Sequence, residues 1–443
     1  MSLKHHIIPD EHFQALGSGA GGAAAARLLL SAQHSKHVLL IHGVGRVAPE
    51  AYRLLSEAQR HRPEAVAAVL RHPAVGAWAW RTYHALAYRA LATGSGGHSP
   101  ARLAAVAAAA AVRSGMDFEI EVPAEEGGIM LPSLGRAVLV GSAGSSATVR
   151  RAGGPAEVIG DETVRIPDDP HQDAPGWQAL RRLEATAHGE TLSLCVDDLD
   201  PYRMPGARLA ADRLSDDELA VWGEALRRSW ELMLAHHRTV AEEVSVATSV
   251  LTPLTDVPGD QISGSSREAF GCVALSTPPD ATTLALTFAH EVQHGKLSAV
   301  LDVLPLLRPS GERRYYAPWR DDPRPLGGLF QGAYAYVGVS GFWRRQRRHE
   351  RGEAALAASA EFYRWWEAAE GATRVIAESG FLTPPGERFV ARMAGTLNAW
   401  REEEVSAEAV EKAHRDAAAH RRMWEERNGM VTPSSPGGAT IPG

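Results

Sequence analysis

The chain has 443 residues, of which 44% are hydrophobic, and its formal net charge at pH 7 is −7. This length predicts two or three domains, and the hydrophobic content is enough for sizeable cores. The mild acidity argues against nucleic-acid binding, because no basic stripe is available to displace counterions from a phosphate backbone. No run approaches the length of a membrane span, and no signal-peptide core is present at the start. Cys195 and Cys272 are too few for a disulfide framework and fit a reducing compartment, so a cytoplasmic protein is expected.

The first part of the chain, residues 1–116, is predicted to be helical. Apolar residues recur there at helical spacing. The segments are Ala23–Leu30, Ala48–Gln59, Pro63–Leu70 and Val75–Leu91. Gly17–Gly22 is interpreted as a helix start and not as a phosphate loop, because no strand precedes it and no Lys-Ser/Thr pair follows it.

A β-rich section is predicted from residue 117 to residue 205. The run from Phe118 to Val122 alternates apolar and charged residues, as a half-buried strand does. Similar runs follow at Val138–Val140, Ala147–Arg151, Glu157–Ile159, Thr163–Ile166 and Leu192–Val196. An acidic cluster at 197–200 comes next, and such a cluster is more often a solvated turn than a cation site.

Residues 206–430 are predicted to form a helical catalytic region, followed by a disordered tail at 431–443 that is rich in Pro, Gly and Ser. A Pro-rich stretch, Leu251–Pro258, is interpreted as a separator, and Ala269–Leu275 as a short strand. The predicted helices are Asp216–His236, Ala281–Leu304, Gly327–Arg344, Glu353–Gly380 and Arg388–Glu425. The chain as a whole is predicted to be a mainly α-helical α+β protein.

The most informative motif is His-Glu-Val-Gln-His at 290–294, an H-E-x-x-H pattern on a predicted helix. Residues i and i+4 of a helix lie on the same face, so His290 and His294 can bind one divalent metal. Glu291 lies about 100° round the helix and can reach the metal or a metal-bound water. Composition alone produces this pattern in roughly one such chain in twenty, but the apolar face of the helix favours a metal site.

Two imidazoles are an incomplete site, because catalytic zinc and non-haem iron sites usually take a third protein ligand. Gln331 on the next predicted helix is the first candidate, as a ligand or as a hydrogen-bonding neighbour of the ligands. Asp302 would require a break near Gly295, since eight residues of unbroken helix rise roughly 12 Å. The remaining candidates are Asp321 and Asp322.

The segment 315–325, between these two helices, is aromatic, cationic and stiffened by prolines. Its arginines, Arg320 and Arg324, can form a fork for a carboxylate in a pocket wall. A surface loop with an internal Arg–Asp pair explains the same composition. Upstream, residues 263–271 enter a predicted strand whose exposed edge can pair with an extended peptide.

The chain resembles the HExxH-motif proteins of actinobacterial peptide-natural-product clusters, described as 2-oxoglutarate-dependent peptide β-hydroxylases. The matching blocks are 265–271, 290–297, 300–302 and 315–328. The resemblance implies a zincin-like metal helix on which His290 and His294 hold Fe(II). It further implies that 2-oxoglutarate chelates the iron, with Arg324 or Arg320 on its distal carboxylate, and that a ribosomally made precursor peptide is hydroxylated. The lack of a clear carboxylate ligand departs from the usual iron triad and leaves the third ligand and the role of Glu291 open.

Two other functions compete with this hydroxylase hypothesis. The motif alone favours a zinc-dependent metallopeptidase in which Glu291 is the general base for a metal-bound water. The absence of a downstream Glu or His ligand favours the hydroxylase. A third hypothesis is a peptide-recognition protein that holds a structural metal and has no catalytic activity.

Overall fold

A computed structural model describes residues 5–88, 99–139 and 146–429 of the chain. Helices hold 54% and strands 16% of these residues, which confirms the predicted mainly α-helical α+β class. The predicted disordered tail, 431–443, lies outside the described residues, as do 89–91 of one predicted helix and Val140 of one predicted strand. Within the described ranges, no helix combines the length and the apolar composition needed to cross a bilayer.

The chain divides into two compact units. The first comprises Met1–Ile7 and Gly21–Ala299, and the second comprises Ile8–Ala20 and Val300–Gly443. The α-helices in chain order are α1 (Asp10–Gly17), α2 (Gly22–Gly45), α3 (Pro49–His61), α4 (Pro63–Leu70), α5 (Pro73–Ala87), α6 (Leu103–Ser114), α7 (Asp216–His236), α8 (Arg238–Ala247), α9 (Ala281–Val303), α10 (Leu326–Gln346), α11 (Gly352–Ala377), α12 (Pro384–Ala399) and α13 (Ala407–Asn428). The β-strands are β1 (Phe118–Pro123), β2 (Gly128–Leu131), β3 (Gly135–Val138), β4 (Ser146–Arg151), β5 (Glu157–Ile159), β6 (Thr163–Arg165), β7 (Trp177–Ala179), β8 (Arg182–Ala187), β9 (Glu190–Val196), β10 (Val250–Pro253), β11 (Ser263–Gly264), β12 (Cys272–Leu275), β13 (Arg314–Tyr315) and β14 (Arg324–Pro325).

The helical start of the first unit follows from simple local signals. Helices α3, α4 and α5 each begin with proline, whose fixed φ suits the first helical position. Helix α6 is almost entirely buried alanine and valine, and it packs against α3 and α4. It ends at Gly115, whose φ of 74° is the left-handed conformation that glycine adopts without a Cβ clash.

The β-strands of the first unit form three sheets. One sheet has the order β1-β4-β5-β6 and a second has the order β2-β3-β7, both antiparallel. The third, β11-β12-β10-β9-β8, is mixed, because β10 pairs in parallel with both β9 and β12. Strand β10 lies in the Pro-rich stretch that was predicted to be a separator, so that prediction was wrong. All four of its residues are buried in the middle of the sheet, and its proline is the last residue of the strand.

The acidic cluster after β9 is buried, which corrects its interpretation as a solvated turn. Asp197 and Asp200 are completely shielded from solvent. Arg102 lies 2.7 Å from Asp200, and Arg181 lies 2.8 Å from Asp198. The positive charge of these guanidinium groups compensates the negative charge of the carboxylates. The cluster can therefore be buried just beyond the end of β9.

The second unit contains α1 and the helices from α10 onward. One continuous helix had been predicted over 388–425, but residues 400–406 separate α12 from α13. Ser406 caps α13 by accepting a hydrogen bond from the backbone of Ala409. Glu403, in the break, accepts hydrogen bonds of 2.7 Å from Arg344 and from Arg347. Apolar residues recur at helical spacing in both α12 and α13. The sequence pattern therefore did not reveal the short turn between the two helices.

Candidate metal centre

Helix α9 carries the motif and has nearly the predicted bounds, Ala281–Val303. Asp280 caps its start, since its carboxylate accepts hydrogen bonds from the backbone N–H (2.8 Å) and hydroxyl (2.9 Å) of Thr283. Its apolar side chains are buried within the first unit and hold the helix in place. They are Leu284, Phe288, Val292 and Leu297.

The two motif histidines converge. The Nε2 atoms of His290 and His294 lie 3.1 Å apart, and the rings meet edge to face with centroids 4.8 Å apart. Two nitrogens bound to one ion at about 2.1 Å would be about 3.0 Å apart at a right angle and about 3.4 Å apart at a tetrahedral angle. The pair therefore has the separation that a shared metal ion requires.

Glu291 completes the group of potential ligands. Its ligand atom and those of the two histidines all lie within 4.8 Å of one another. Its Oε1 accepts a hydrogen bond of 2.6 Å from the hydroxyl of Ser263. Among the described residues, its Oε2 is buried and has no hydrogen-bond partner. A buried carboxylate oxygen in this state is costly unless a cation or a water satisfies it.

One distance and one small cavity bear on the role of Glu291. Its Oε1 lies 3.9 Å from Nε2 of His290, which suits either a direct ligand at a wide angle or a carboxylate one water away from the ion. A cavity of about 20 Å³ beside Glu291, also lined by Ser265 and Ser266, has room for about one water. The donor set of two imidazoles and a carboxylate fits both zinc and ferrous iron.

The electrostatic environment of His290 favours metal binding. Burial, with a smaller contribution from His294, lowers the pKa of His290 to about 4 although Glu291 opposes the shift. The imidazole of His290 is therefore neutral at pH 7, and a neutral imidazole is the form that binds a metal.

An ion pair anchors the same helix two residues after the motif. Lys296 and Glu243 are 1% and 2% exposed, and the lysine Nζ donates a hydrogen bond of 2.7 Å to the glutamate. The other oxygen of Glu243 accepts a hydrogen bond of 3.1 Å from the backbone of Gly22, at the start of α2. The pair thus ties α9 to α8 and to the start of α2. The sequence did not identify it, because its partners are 53 residues apart.

Ser263 is a second site residue that the motif analysis missed. It lies on β11, which pairs antiparallel with β12 at the edge of the mixed sheet. The sequence had predicted that the segment 263–271 enters a strand with an edge for a peptide. What it could not show is that Ser263 holds the motif carboxylate, since 28 residues separate the two.

The other predicted site residues belong to the second unit. Gln331 is half-buried on α10, and its assignment as third ligand stays a prediction. Arg320 and Arg324 both bind Asp322, each with a hydrogen bond of 3.0 Å. The internal Arg–Asp pair proposed as the alternative for this segment is therefore present. Although partial burial opposes the shift, these two arginines lower the pKa of Asp322.

Asp302, another candidate for the third metal ligand, lies near the end of α9. Because α9 is continuous from Ala281 to Val303, the break near Gly295 that Asp302 required is absent from this described helix.

Comparisons of the chain with protein-family models and with curated proteins find no match.

Proposed function

We propose that this protein is an Fe(II)- and 2-oxoglutarate-dependent oxygenase that hydroxylates the β-carbon of a residue in a ribosomally made precursor peptide. In such a reaction one oxygen atom of O2 enters a C–H bond of the peptide. The other enters succinate as 2-oxoglutarate loses carbon dioxide. Two free thiols, Cys195 and Cys272, fit a reducing compartment, and we propose that the enzyme acts in the cytoplasm.

The convergence of His290 and His294, at 3.1 Å, is the observation that carries the proposal. It supports an ion held from one turn of α9, with Glu291 beside it. When bound, a ferrous ion would offer coordination positions for the keto-acid end of 2-oxoglutarate and for O2 activation. The chain itself supplies two imidazoles to hold the ion and a buried carboxylate, fixed by Ser263, to orient a water or a proton next to it.

A peptide substrate is supported by the edge position of β11. An edge strand offers backbone groups that can pair with an extended chain. Ser263 lies on this strand and contacts Glu291, so a peptide paired there would run past the motif helix. Side-chain selection would then depend on the alternation along the added strand.

The cosubstrate and third-ligand assignments rest on residue chemistry and on the resemblance. We propose Gln331 as third ligand and Arg324, or else Arg320, as the cation for the distal carboxylate of 2-oxoglutarate. Each arginine has five N–H donors, and Asp322 takes at most two of them from either side chain. Each guanidinium therefore keeps donors for a bidentate contact with a second carboxylate.

A zinc-dependent metallopeptidase is the alternative, and one observation favours it. Glu291 Oε2 is buried without a partner among the described residues. A carboxylate in this state beside a metal-bound water suits a general base.

The deciding experiment measures succinate formation by the full-length protein with Fe(II), O2 and 2-oxoglutarate. The assay measures turnover of the keto acid itself and is first run without a peptide. The hydroxylase predicts succinate that depends on iron and oxygen and is lost in His294→Ala. With a peptide substrate, the product would gain the mass of one oxygen atom.

The matched controls are Arg324→Gln and the exposed variant Arg53→Gln. Only Arg324→Gln should raise the 2-oxoglutarate concentration needed for turnover. Metal binding should stay intact in both variants. Cleavage of unfolded casein by the zinc-loaded protein, without 2-oxoglutarate or O2, would establish the peptidase instead.

A further inference from the structure

A second concentration of unsatisfied polar groups lies elsewhere in the first unit. A cavity of about 310 Å³, the arginine cavity, opens where the α4–α5 junction and α6 meet the sheet strands β8, β9 and β10. Its polar lining comprises Arg71, His72, Arg113, Ser133, Arg182, Ser193, Cys195 and Ser249. This volume is at the lower end of the range for small-molecule sites.

The sheet places two of these groups side by side. Arg182 on β8 is the direct antiparallel partner of Cys195 on β9, so both side chains project from the same face. Ser193 lies two residues before Cys195 and shares that face. Glu184, also on this face, accepts a hydrogen bond of 3.3 Å from Ser193 and does not line the cavity.

Three arginines give the cavity its positive charge. Among the described residues, Arg71, Arg113 and Arg182 form no ion pair. Burial, followed by the nearby charge of Arg182, lowers the pKa of Arg113. Guanidinium groups that face one cavity without an acid repel one another and attract anions.

Arg113 is held in place by neutral acceptors. Its Nε and Nη2 donate to the hydroxyl (3.1 Å) and the carbonyl (2.8 Å) of Ser133, and Nη2 also contacts His171 at 3.2 Å. Ser133 has a left-handed backbone with φ of 71°, which is costly for a residue other than glycine. In the described part of the chain, Nη1 of Arg113 forms no hydrogen bond, so a fixed guanidinium keeps two N–H donors available.

His72 is the buried member of the lining. It is 6% exposed, and neither ring nitrogen has a hydrogen-bond partner within the described residues. Its Nε2 lies 3.8 Å from a carboxylate oxygen of Asp197, beyond hydrogen-bond distance. It also precedes the first residue of α5, a 15-residue helix whose N-terminal end carries partial positive charge.

We propose that the arginine cavity binds a small-molecule oxyanion, a phosphate or a carboxylate group, between Arg113, Arg182 and Arg71 with His72 at the buried end. The three guanidinium groups supply charge-assisted donors, and the neutral imidazole supplies one further N–H. An anion there would compensate repulsion that the protein alone leaves in place. This site does not depend on the metal centre or on the hydroxylase proposal.

The test is calorimetric titration of the full-length protein with sodium phosphate and, separately, with sodium acetate, at an ionic strength kept constant with sodium chloride. At least one anion should bind, and Arg182→Gln and Arg113→Gln should each weaken binding about tenfold or more, as expected for losing a charge-assisted hydrogen bond. Binding of phosphate but not acetate supports a phosphate ligand, and comparable binding of both supports a carboxylate as well.

Arg53→Gln, an exposed arginine on α3, is the matched control for loss of net charge. Because Arg113→Gln removes contacts to Ser133 and can impair folding, the exposed Arg182→Gln decides the outcome. The proposal is overturned if neither anion binds the wild-type protein at up to about 10 mM. It is equally overturned if Arg53→Gln weakens binding as much as Arg182→Gln does.

Discussion

The candidate metal centre and the arginine cavity each hold a buried polar atom that lacks a hydrogen-bond partner among the described residues, yet they are constructed in opposite ways. His290, Glu291 and His294 lie within one turn of a single helix. The cavity residues come from two helices, a helix junction, a turn and the sheet, spread from residue 68 to residue 250. The convergence of the two histidines needs only an intact α9, whereas the cavity exists only when several elements pack correctly. The following predictions test that contrast, from the largest expected effect to the smallest.

Replacing a motif histidine should abolish stoichiometric metal binding. For His290→Ala we expect the affinity for Zn²⁺ or Co²⁺ to fall by more than about a hundredfold, because losing a residue that merely orients a ligand already costs about 10–100-fold. Equilibrium dialysis with metal analysis measures this. His61→Ala, an exposed histidine on α3, should bind normally. Phosphate binding should be unchanged in His290→Ala, and a loss there would contradict the independence of the two sites.

Breaking the buried ion pair under the motif helix should destabilise the first unit. Lys296→Met leaves Glu243 buried and uncompensated, which should lower the free energy of unfolding by about 3–5 kcal/mol. Urea denaturation followed by circular dichroism measures the change. The double variant Lys296→Met/Glu243→Leu should recover much of the loss, because no lone charge remains. If the double variant is as unstable as the single one, the loss of stability comes from side-chain packing or from the hydrogen bond between Gly22 and Glu243, and not from an uncompensated charge.

The buried end of the cavity should make stability depend on pH. Burial, with Arg113, Arg102 and His171 adding to it against Asp200, lowers the pKa of His72 to about 4. The unfolded chain therefore takes up a proton below about pH 6.5 that the folded protein resists until about pH 4. As the pH falls from about 6.5 to about 4, the contribution of His72 to the free energy of unfolding therefore decreases by about 3 kcal/mol.

The variant His72→Asn isolates this effect. Burial and the neighbouring Asp200 raise the pKa of Asp197, so its protonation stabilises the fold as the pH falls and partly offsets the effect of the histidine. Both proteins contain Asp197, so the difference between them reports the titration of His72 together with its coupling to Asp197, which lies 3.8 Å away. The stability advantage of the wild type should shrink between pH 6.5 and pH 4. Parallel stability curves across that window would refute the assignment.

Removing a cavity arginine should affect stability least. Arg182→Gln should leave the free energy of unfolding within about 0.5 kcal/mol of the wild type, or raise it slightly, because an exposed repulsive charge disappears. Added phosphate should stabilise the wild type according to ligand linkage and the variant much less. Thermal unfolding with and without phosphate measures both effects. A marked loss of stability without phosphate would mean that Arg182 is a structural residue.

Local elements of the fold were largely predictable. Helix α7 has the predicted bounds. Ser215 and Glu218 form a capping box at its start, and this residue pattern can be recognised in the sequence. The motif group was predictable for the same reason, since helical geometry alone relates residues i, i+1 and i+4. Elements defined by their neighbours were not: β10 is a strand because it lies between β9 and β12, although its Pro-rich surroundings suggested a linker.

By itself, the sequence determined the secondary-structure class, the motif helix and the pairing of His290 with His294. Each of these depends on interactions over a few residues, which repeat wherever the same pattern occurs. Only the tertiary structure decided that the acidic cluster at 197–200 is buried, that Ser263 holds Glu291, and that three arginines with no acid partner in the described ranges face one cavity. The physical reason is that burial and charge compensation depend on which distant elements pack against one another. The local periodicity of a sequence does not specify that packing.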